Sequence, residues 1–299
     1  HDPETINTLT GLGYQQPETV SEIVMGWHHG SKRCTRTKRA RELLTELMPN
    51  LLSRLAQTAN PDAAFLKFND FLTHLPAAIQ LFSLFQANPR LLGLVADIMG
   101  SAPSLADTLS KSPELIENVL FSDFYEQLPS KEDLRAQAAE RVAYAVDCEE
   151  AVEYLTRLRN ERQFQSGVHF LRGMISAAQL GAFLSDLAEV MVEELLAATR
   201  HEFEKTYGRI AEGEFSVIAL GKFGSQELTF NSDLDLVFIY RVPDFEQISD
   251  GEKGFTASVY YNRFAQRLVN AMTALGPAGK MYEVDTRLRP SGKQGLLAV

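Results

Sequence analysis

Gly221-Lys222-Phe223-Gly224-Ser225, followed a few residues later by Asn231-Ser232-Asp233-Leu234-Asp235 and the run to Tyr240, decides how this chain folds. The short apolar run Phe215 to Leu220 enters the stretch and the apolar run Leu234 to Tyr240 leaves it. It therefore reads as two strands joined across a Gly/Ser turn. Residues two apart on a strand share a face, which puts Asp233 and Asp235 side by side at the mouth of the second strand. Two acids so close repel and raise each other's pKa, so a cation is their natural partner. Their oxygens are hard donors, suited to magnesium with a substrate phosphate beside it.

Outward from this stretch the grammar is strand, turn, strand, helix, strand. Tyr260 to Leu275 is predicted to be a helix, with Phe264, Leu268 and Met272 aligned. Met281 to Leu288 reads as a third strand, and it carries Asp285. The helix returns the chain to the sheet, so Asp285 is expected beside Asp233 and Asp235. The polar, acidic stretch from Asp244 to Gly254 reads as an exposed loop.

Upstream, from Ser21 to about Tyr207, the pattern is helical almost throughout. Arg36 to Met48 is predicted as one helix, bent or broken at Pro49. Pro61, Pro89 and Pro113 are placed to open helices, with Gly100 closing the one after Pro89. Ser130 with Asp133 and Ser176 with Gln179 read as capping boxes. The second opens the longest amphipathic run, Leu180 to Ala198. The division is thus a helical domain over residues 1–205 and a small mixed-sheet core over 206–299, the boundary lying at a polar hinge between Gly208 and Gly213. The fold class is α+β.

Bulk properties narrow the function. The 299 residues carry a net charge of −10, which would repel a nucleic-acid backbone. No unbroken apolar run approaches the ~20 residues that cross a bilayer. Two cysteines, Cys34 and Cys148, make neither a disulfide framework nor a metal-ligand spacing, which suits a reducing, cytoplasmic setting with unreactive thiols. Ser291-Gly292-Lys293-Gln294-Gly295 leads into Leu296 to Val299 as a strand just starting, so the expectation is a piece of a longer polypeptide with its core truncated at the C-terminus.

The three acids with the preceding Gly224-Ser225, which can offer backbone N–H groups and a hydroxyl to a phosphate, have the layout of a two-metal nucleotidyl-transfer site. The turn is no Walker A loop: Gly221-Lys222 lacks the preceding glycine and no Ser or Thr follows the lysine. The plain alternative is a loop-facing acid pair with Arg287 or Arg289 as ion-pair partners. Arg287 and Arg289 alternate with Leu288, so both are expected on the face of Asp285, one contacting phosphate and the other orienting the acid. Lys222 is placed to reach a phosphate or simply to be solvated. The basic cluster Lys32, Arg33, Arg36, Lys38, Arg39 and Arg41 reads as a wet helix face, and His28 and His29 point to different sides of a helix.

Gly224-Ser225, Asp233-x-Asp235 and Asp285 resemble the signature of the nucleotidyltransferase superfamily to which DNA polymerase beta belongs. The longer phrases Gly221 to Leu228, Ser232 to Leu236 and Tyr282-Glu283-Val284-Asp285-Thr286-Arg287-Leu288-Arg289-Pro290-Ser291-Gly292 are similar to the bacterial glutamine synthetase adenylyltransferase family. Gly26 to Gly30, Ala40 to Leu44, Gly100 to Pro103 and Ser112 to Leu115 resemble the region leading into its C-terminal, adenylylating half.

The resemblance implies a polymerase-beta-like core in a multifunctional enzyme of nitrogen metabolism, moving AMP from ATP to a tyrosine hydroxyl of glutamine synthetase. Carried over, Asp233, Asp235 and Asp285 are the catalytic and metal-binding carboxylates, with Mg2+ or Mn2+. Gly224, Ser225, Ser232, Lys222, Arg287 and Arg289 are the ATP-binding set. Glutamine synthetase and the PII signal protein are the implied partners. Phe223 and Phe230 stand where the family often has smaller or different residues. Two alternatives remain open here: the deadenylylating, phosphorolytic half of the same enzyme, and a non-catalytic ATP-binding regulatory module.

Overall fold

Proline places the starts of the helices in the first part of the chain, because its fixed φ and missing N–H cost nothing in a first helical turn. The computed structural model describes residues 2–75, 77–289, 292 and 295–299. It divides into two compact units, His1–Glu126 and Gln127–Val299. The first unit contains α1 (Pro3–Leu12), α2 (Pro17–His28), α3 (Lys38–Ala56), α4 (Pro61–His74), α5 (Ile79–Ala87), α6 (Pro89–Ser101), α7 (Pro103–Lys111) and α8 (Leu115–Asn118). Five of these helices begin on proline. Their buried faces meet on aromatic rings. Trp27 stacks on Phe65 with centroids 5.2 Å apart, and its ring N–H donates to Asn69 Oδ1 at 3.1 Å.

Pro49 neither breaks nor ends its helix. Thr37 caps the start, its side chain accepting from the Ala40 N–H, and α3 then runs through Pro49 to Ala56. Leu43, Leu44, Leu47, Met48, Leu51 and Leu55 are buried along it, so packing on both sides of the proline outweighs one lost backbone bond. Likewise α6 continues one residue past Gly100. The basic cluster is a mostly solvated face: Lys38 and Arg39 pair with Glu42, Lys32 donates to Thr73, and Arg41 donates to the carbonyls of Thr35 and Arg36. Cys34 is buried and donates to the Leu72 carbonyl; burial pushes its thiol up to about 11, and burial also raises Cys148. Both cysteines are free.

The second unit begins with α9 (Lys131–Val142), α10 (Cys148–Leu171) and α11 (Ala177–Tyr207). Both capping boxes form as the sequence predicts, Ser130 with Asp133 and Ser176 with Gln179. Then follow β1 (Glu214–Ala219), the short turn α12 (Gly221–Gly224), β2 (Leu234–Arg241), α13 (Ala257–Thr273) and β3 (Val284–Asp285). The sheet order is β1-β2-β3. β1 pairs antiparallel with β2, and β2 pairs parallel with β3 across the α13 crossover, so the sheet is mixed. The class is α+β, mostly helical.

The core of this unit is shared between helices and sheet. Leu187, Met191 and Leu195 of α11 and Phe264, Leu268 and Met272 of α13 are buried with Leu234, Leu236 and Phe238 of β2. The change from helices to mixed elements falls at Tyr207, close to the boundary read from sequence, whereas the compact units part at residue 126. Helices α9 to α11 group with the sheet in one compact unit and one core. The linking segment at 208–213 is pinned: the Tyr260 hydroxyl donates to the Gly208 carbonyl at 2.8 Å, and Arg209 N–H donates to Asp250 Oδ1.

The third strand is shorter than its apolar pattern. Only Val284 and Asp285 pair with β2, because Asp285 Oδ1 accepts the Arg287 N–H at 2.8 Å and curls the chain out of the sheet. Ala298 then returns to bridge Phe238, with Val299 N–H donating to the Phe238 carbonyl at 3.1 Å. Pro290 and Ser291 of the Tyr282–Gly292 phrase, and Lys293 and Gln294 of the lead into the last residues, lie outside the described residues. Among the described residues no helix is long and apolar enough to cross a membrane.

Candidate functional site

Strand alternation separates two surfaces of β2. Leu234, Leu236 and Phe238 are buried, while Asp235 lies on the opposite face and Asp233, one residue before the strand begins, is exposed. The parallel register places Asp285 directly opposite Asp235. Neighbouring strands lie ~4.8 Å apart, so two carboxylates in this register share one small patch of surface. The backbone pairing thus brings Asp285 beside Asp235, while Asp233 lies outside the paired residues.

The turn before β2 is built around Asp235. Gly221 has φ +54°, and a Cβ there would lie 2.2 Å from Asp235 Oδ2, so only glycine lets the backbone pass this close to the carboxylate. The Leu220 N–H donates to the Asp235 carbonyl at 2.9 Å, fastening the turn to the strand. Gly224 is equally constrained, since a Cβ there would meet the Ala219 carbonyl at 2.6 Å. Phe223 is buried in the core and anchors the turn from beneath. Its far end closes through Gln226 at φ +60° and a 2.8 Å bond from Glu227 N–H to the Lys222 carbonyl.

Several donors that the sequence offers to a phosphate are engaged within this turn. Gly224 N–H donates to the Leu220 carbonyl and Ser225 N–H to the Gly221 carbonyl. The Ser225 hydroxyl donates to Glu227 Oε2 at 3.0 Å. Ser232 Oγ accepts from the Thr229 N–H at 3.0 Å and shapes the entry to β2. Lys222 is exposed, and its ammonium enters no ion pair among the described residues.

The acids divide by their partners. Neither Asp233 nor Asp235 accepts a side-chain hydrogen bond among the described residues. Asp285 is held instead by Arg287, whose Nε lies 2.9 Å from Oδ1 and 2.7 Å from Oδ2, with Nη2 also on Oδ2. The Asp285 side chain is 11% exposed and that of Arg287 66%. Hydrogen bonds to Asp285 and its charge, reinforced by Asp233 and Asp235, hold the guanidinium above its ordinary range. Arg289 braces the following turn, donating to the Thr286 carbonyl at 3.0 Å, Thr286 Oγ1 at 2.9 Å and the Gly295 carbonyl at 3.3 Å.

Donor chemistry decides whether a divalent ion fits. Among the described residues no three His, Cys, Asp or Glu side chains form a metal cage as they stand. Magnesium, however, is commonly bound by one or two carboxylates with substrate phosphates completing the shell. Asp235 and Asp285, register partners with hard oxygens against a glycine cradle, match that donor set.

Sequence reasoning missed the supports on α10. Gln163 Nε2 donates to the Phe230 carbonyl at 3.3 Å, and Asn160 Nδ2 to the Ala278 carbonyl at 3.0 Å. Arg159 lies over the Tyr282 ring, 5.0 Å from its centroid. These polar residues hold the segments that lead into β2 and β3, and nothing local in the helix pattern marks them.

A family model described as glutamate-ammonia ligase adenylyltransferase matches residues 92–299. Curated proteins named bifunctional glutamine synthetase adenylyltransferase/adenylyl-removing enzyme are similar to nearly the whole chain. That of Mesorhizobium japonicum is 42% identical over 297 residues, covering 99% of this chain and 30% of its own length. That of Brucella melitensis is 40% identical over the same shares, and that of Caulobacter vibrioides 39% identical over 100% of this chain and 29% of its own length. The chain thus spans about 30% of the length of the curated relatives it matches. With the family phrases placed around one acid patch, and the match running across both units, the chain belongs to the glutamate-ammonia ligase adenylyltransferase family.

Proposed function

We propose that the second unit carries a polymerase-beta-like nucleotidyltransferase core of the adenylylating half, transferring AMP from ATP to a tyrosine hydroxyl of glutamine synthetase. The observation that carries this reading is the register pairing of Asp235 with Asp285, beside a glycine turn moulded to the Asp235 carboxylate. Asp233, Asp235 and Asp285 are the ligands for Mg2+ or Mn2+. When bound, such an ion screens the triphosphate from the acids and stabilises charge developing on the reacting oxygens.

The chain's own residues supply position and proton transfer. The ammonium of Lys222 meets the triphosphate at the glycine turn, with Ser232 fixing the strand entry and Arg289 the far wall. Gly221 and Gly224 allow close approach there, although the Gly224 and Ser225 N–H groups are spent within the turn. The tyrosine oxygen forms a bond to the α-phosphorus as the bond to the β-phosphate oxygen breaks, releasing pyrophosphate. The hydroxyl proton passes to Asp285. Catalysis of this kind rests on alignment and charge neutralisation, without a covalent intermediate on the protein. The PII signal protein as regulator and a cytoplasmic location, where both thiols stay reduced, complete the proposal.

Labelled ATP, magnesium and unmodified glutamine synthetase test it directly. Label should enter glutamine synthetase, and Asp235→Asn should abolish the transfer. Release of ADP only from already adenylylated glutamine synthetase, and only with phosphate, would assign the chain to the opposite half. Nucleotide binding without either reaction would make it a regulatory module.

A further inference from the structure

We propose that Arg287 is an exchangeable counter-ion: it occupies Asp285 until a divalent ion claims that carboxylate, then turns to the phosphates of the nucleotide. This rests on reading the acid patch as a metal site. The charges of Asp233, Asp235 and Asp285 all act on the Arg287 guanidinium. Its hydrogen bonds nonetheless take both oxygens of Asp285, the lone pairs that an ion would need. Ion and guanidinium therefore compete.

Two features make the exchange feasible. The Arg287 side chain is two-thirds exposed and can swing into solvent without disturbing the core. The backbone N–H of Arg287 also donates to Asp285 Oδ1, so the acid keeps an anchor after the guanidinium leaves. Once released, the guanidinium fork matches a phosphate as well as it matched the carboxylate. A single side chain would thus oppose the ion when alone and support the ion–nucleotide pair.

That change of sign is the signature to measure. Isothermal titration with Mn2+ alone should show Arg287→Gln binding the ion about threefold to tenfold tighter than the unaltered chain, the range expected for removing an exposed competing pair. Titration with α,β-methylene-ATP at saturating Mn2+ should show the same variant binding about tenfold weaker, for loss of one charge-assisted contact. Arg287→Lys, which keeps the charge without the fork, should fall between for the ion and remain weak for the nucleotide. Thermal melting confirms that each variant is folded.

Unchanged or weaker Mn2+ binding in Arg287→Gln, with Asp235→Asn still abolishing it in the unaltered background, overturns the counter-ion and leaves Arg287 a static brace. Mn2+ binding that Asp235→Asn does not reduce, or none in either the unaltered chain or Arg287→Gln, overturns the metal-site reading and the counter-ion with it. Binding seen only in Arg287→Gln supports both.

Discussion

The two faces of β2 follow opposite rules although they alternate along one strand. On one, Leu234, Leu236 and Phe238 are at most 1% exposed and fill a core with α11 and α13. On the other, Asp235 is half-buried, Ile239 is 40% exposed, and the Asp235 carboxylate accepts no hydrogen bond among the described residues. The first face holds the fold together. The second presents a carboxylate that the backbone positions and no described donor neutralises. The contrast teaches that core packing and polar presentation can be assigned to alternate residues of a single element, each insulated from the other by the pleat.

The comparison can be broken by measuring both faces with one method, chemical denaturation. Phe238→Ala should cost about 3–5 kcal/mol, since a fully buried ring leaves a cavity; a cost under 1 kcal/mol would mean that this face is not the core. Gly221→Ala should come next, at about 1–3 kcal/mol, from a positive φ combined with the clash against Asp235. Ile239→Thr, an apolar loss of similar kind on the open face, should cost only about 0.5 kcal/mol.

Asp235→Asn should shift stability least, within about 0.5 kcal/mol, because its carboxylate accepts no hydrogen bond among the described residues. The same substitution should remove Mn2+ binding. A large loss of stability in Asp235→Asn would show that the acid face is structural after all, and the separation of roles would fail.

How much could be read in advance varies with how local the cause is. The capping boxes at Ser130 and Ser176 are legible because four consecutive residues contain the whole interaction. The strands around Val217 and Val237 are legible from short apolar runs. The end of β3 is not, because it depends on one carboxylate capturing the N–H two residues on. The passage of α3 through Pro49 and the grouping of α9 to α11 with the sheet depend on packing between distant segments, which no local pattern encodes.

The site shows the same gradient. The pairing of Asp235 with Asp285 follows from strand period and a crossover helix, and the sequence displays both. Which donors are spent does not: the Gly224 N–H and the Ser225 hydroxyl are committed inside the turn by geometry that only coordinates display. The assignment of Arg287 to the carboxylate and Arg289 to the turn likewise follows from the curl after Asp285, where strand alternation ends.

One contact carries a mechanical consequence. Leu220 is tied by its amide to the Asp235 backbone, and Gly221 rests against the same residue's side chain. The glycine turn and the start of β2 are therefore spliced at a single peptide. A displacement of the turn is delivered to the Asp235 carboxylate without an intervening lever, so under the proposed function an anion at the turn and a cation at the acid would be felt together.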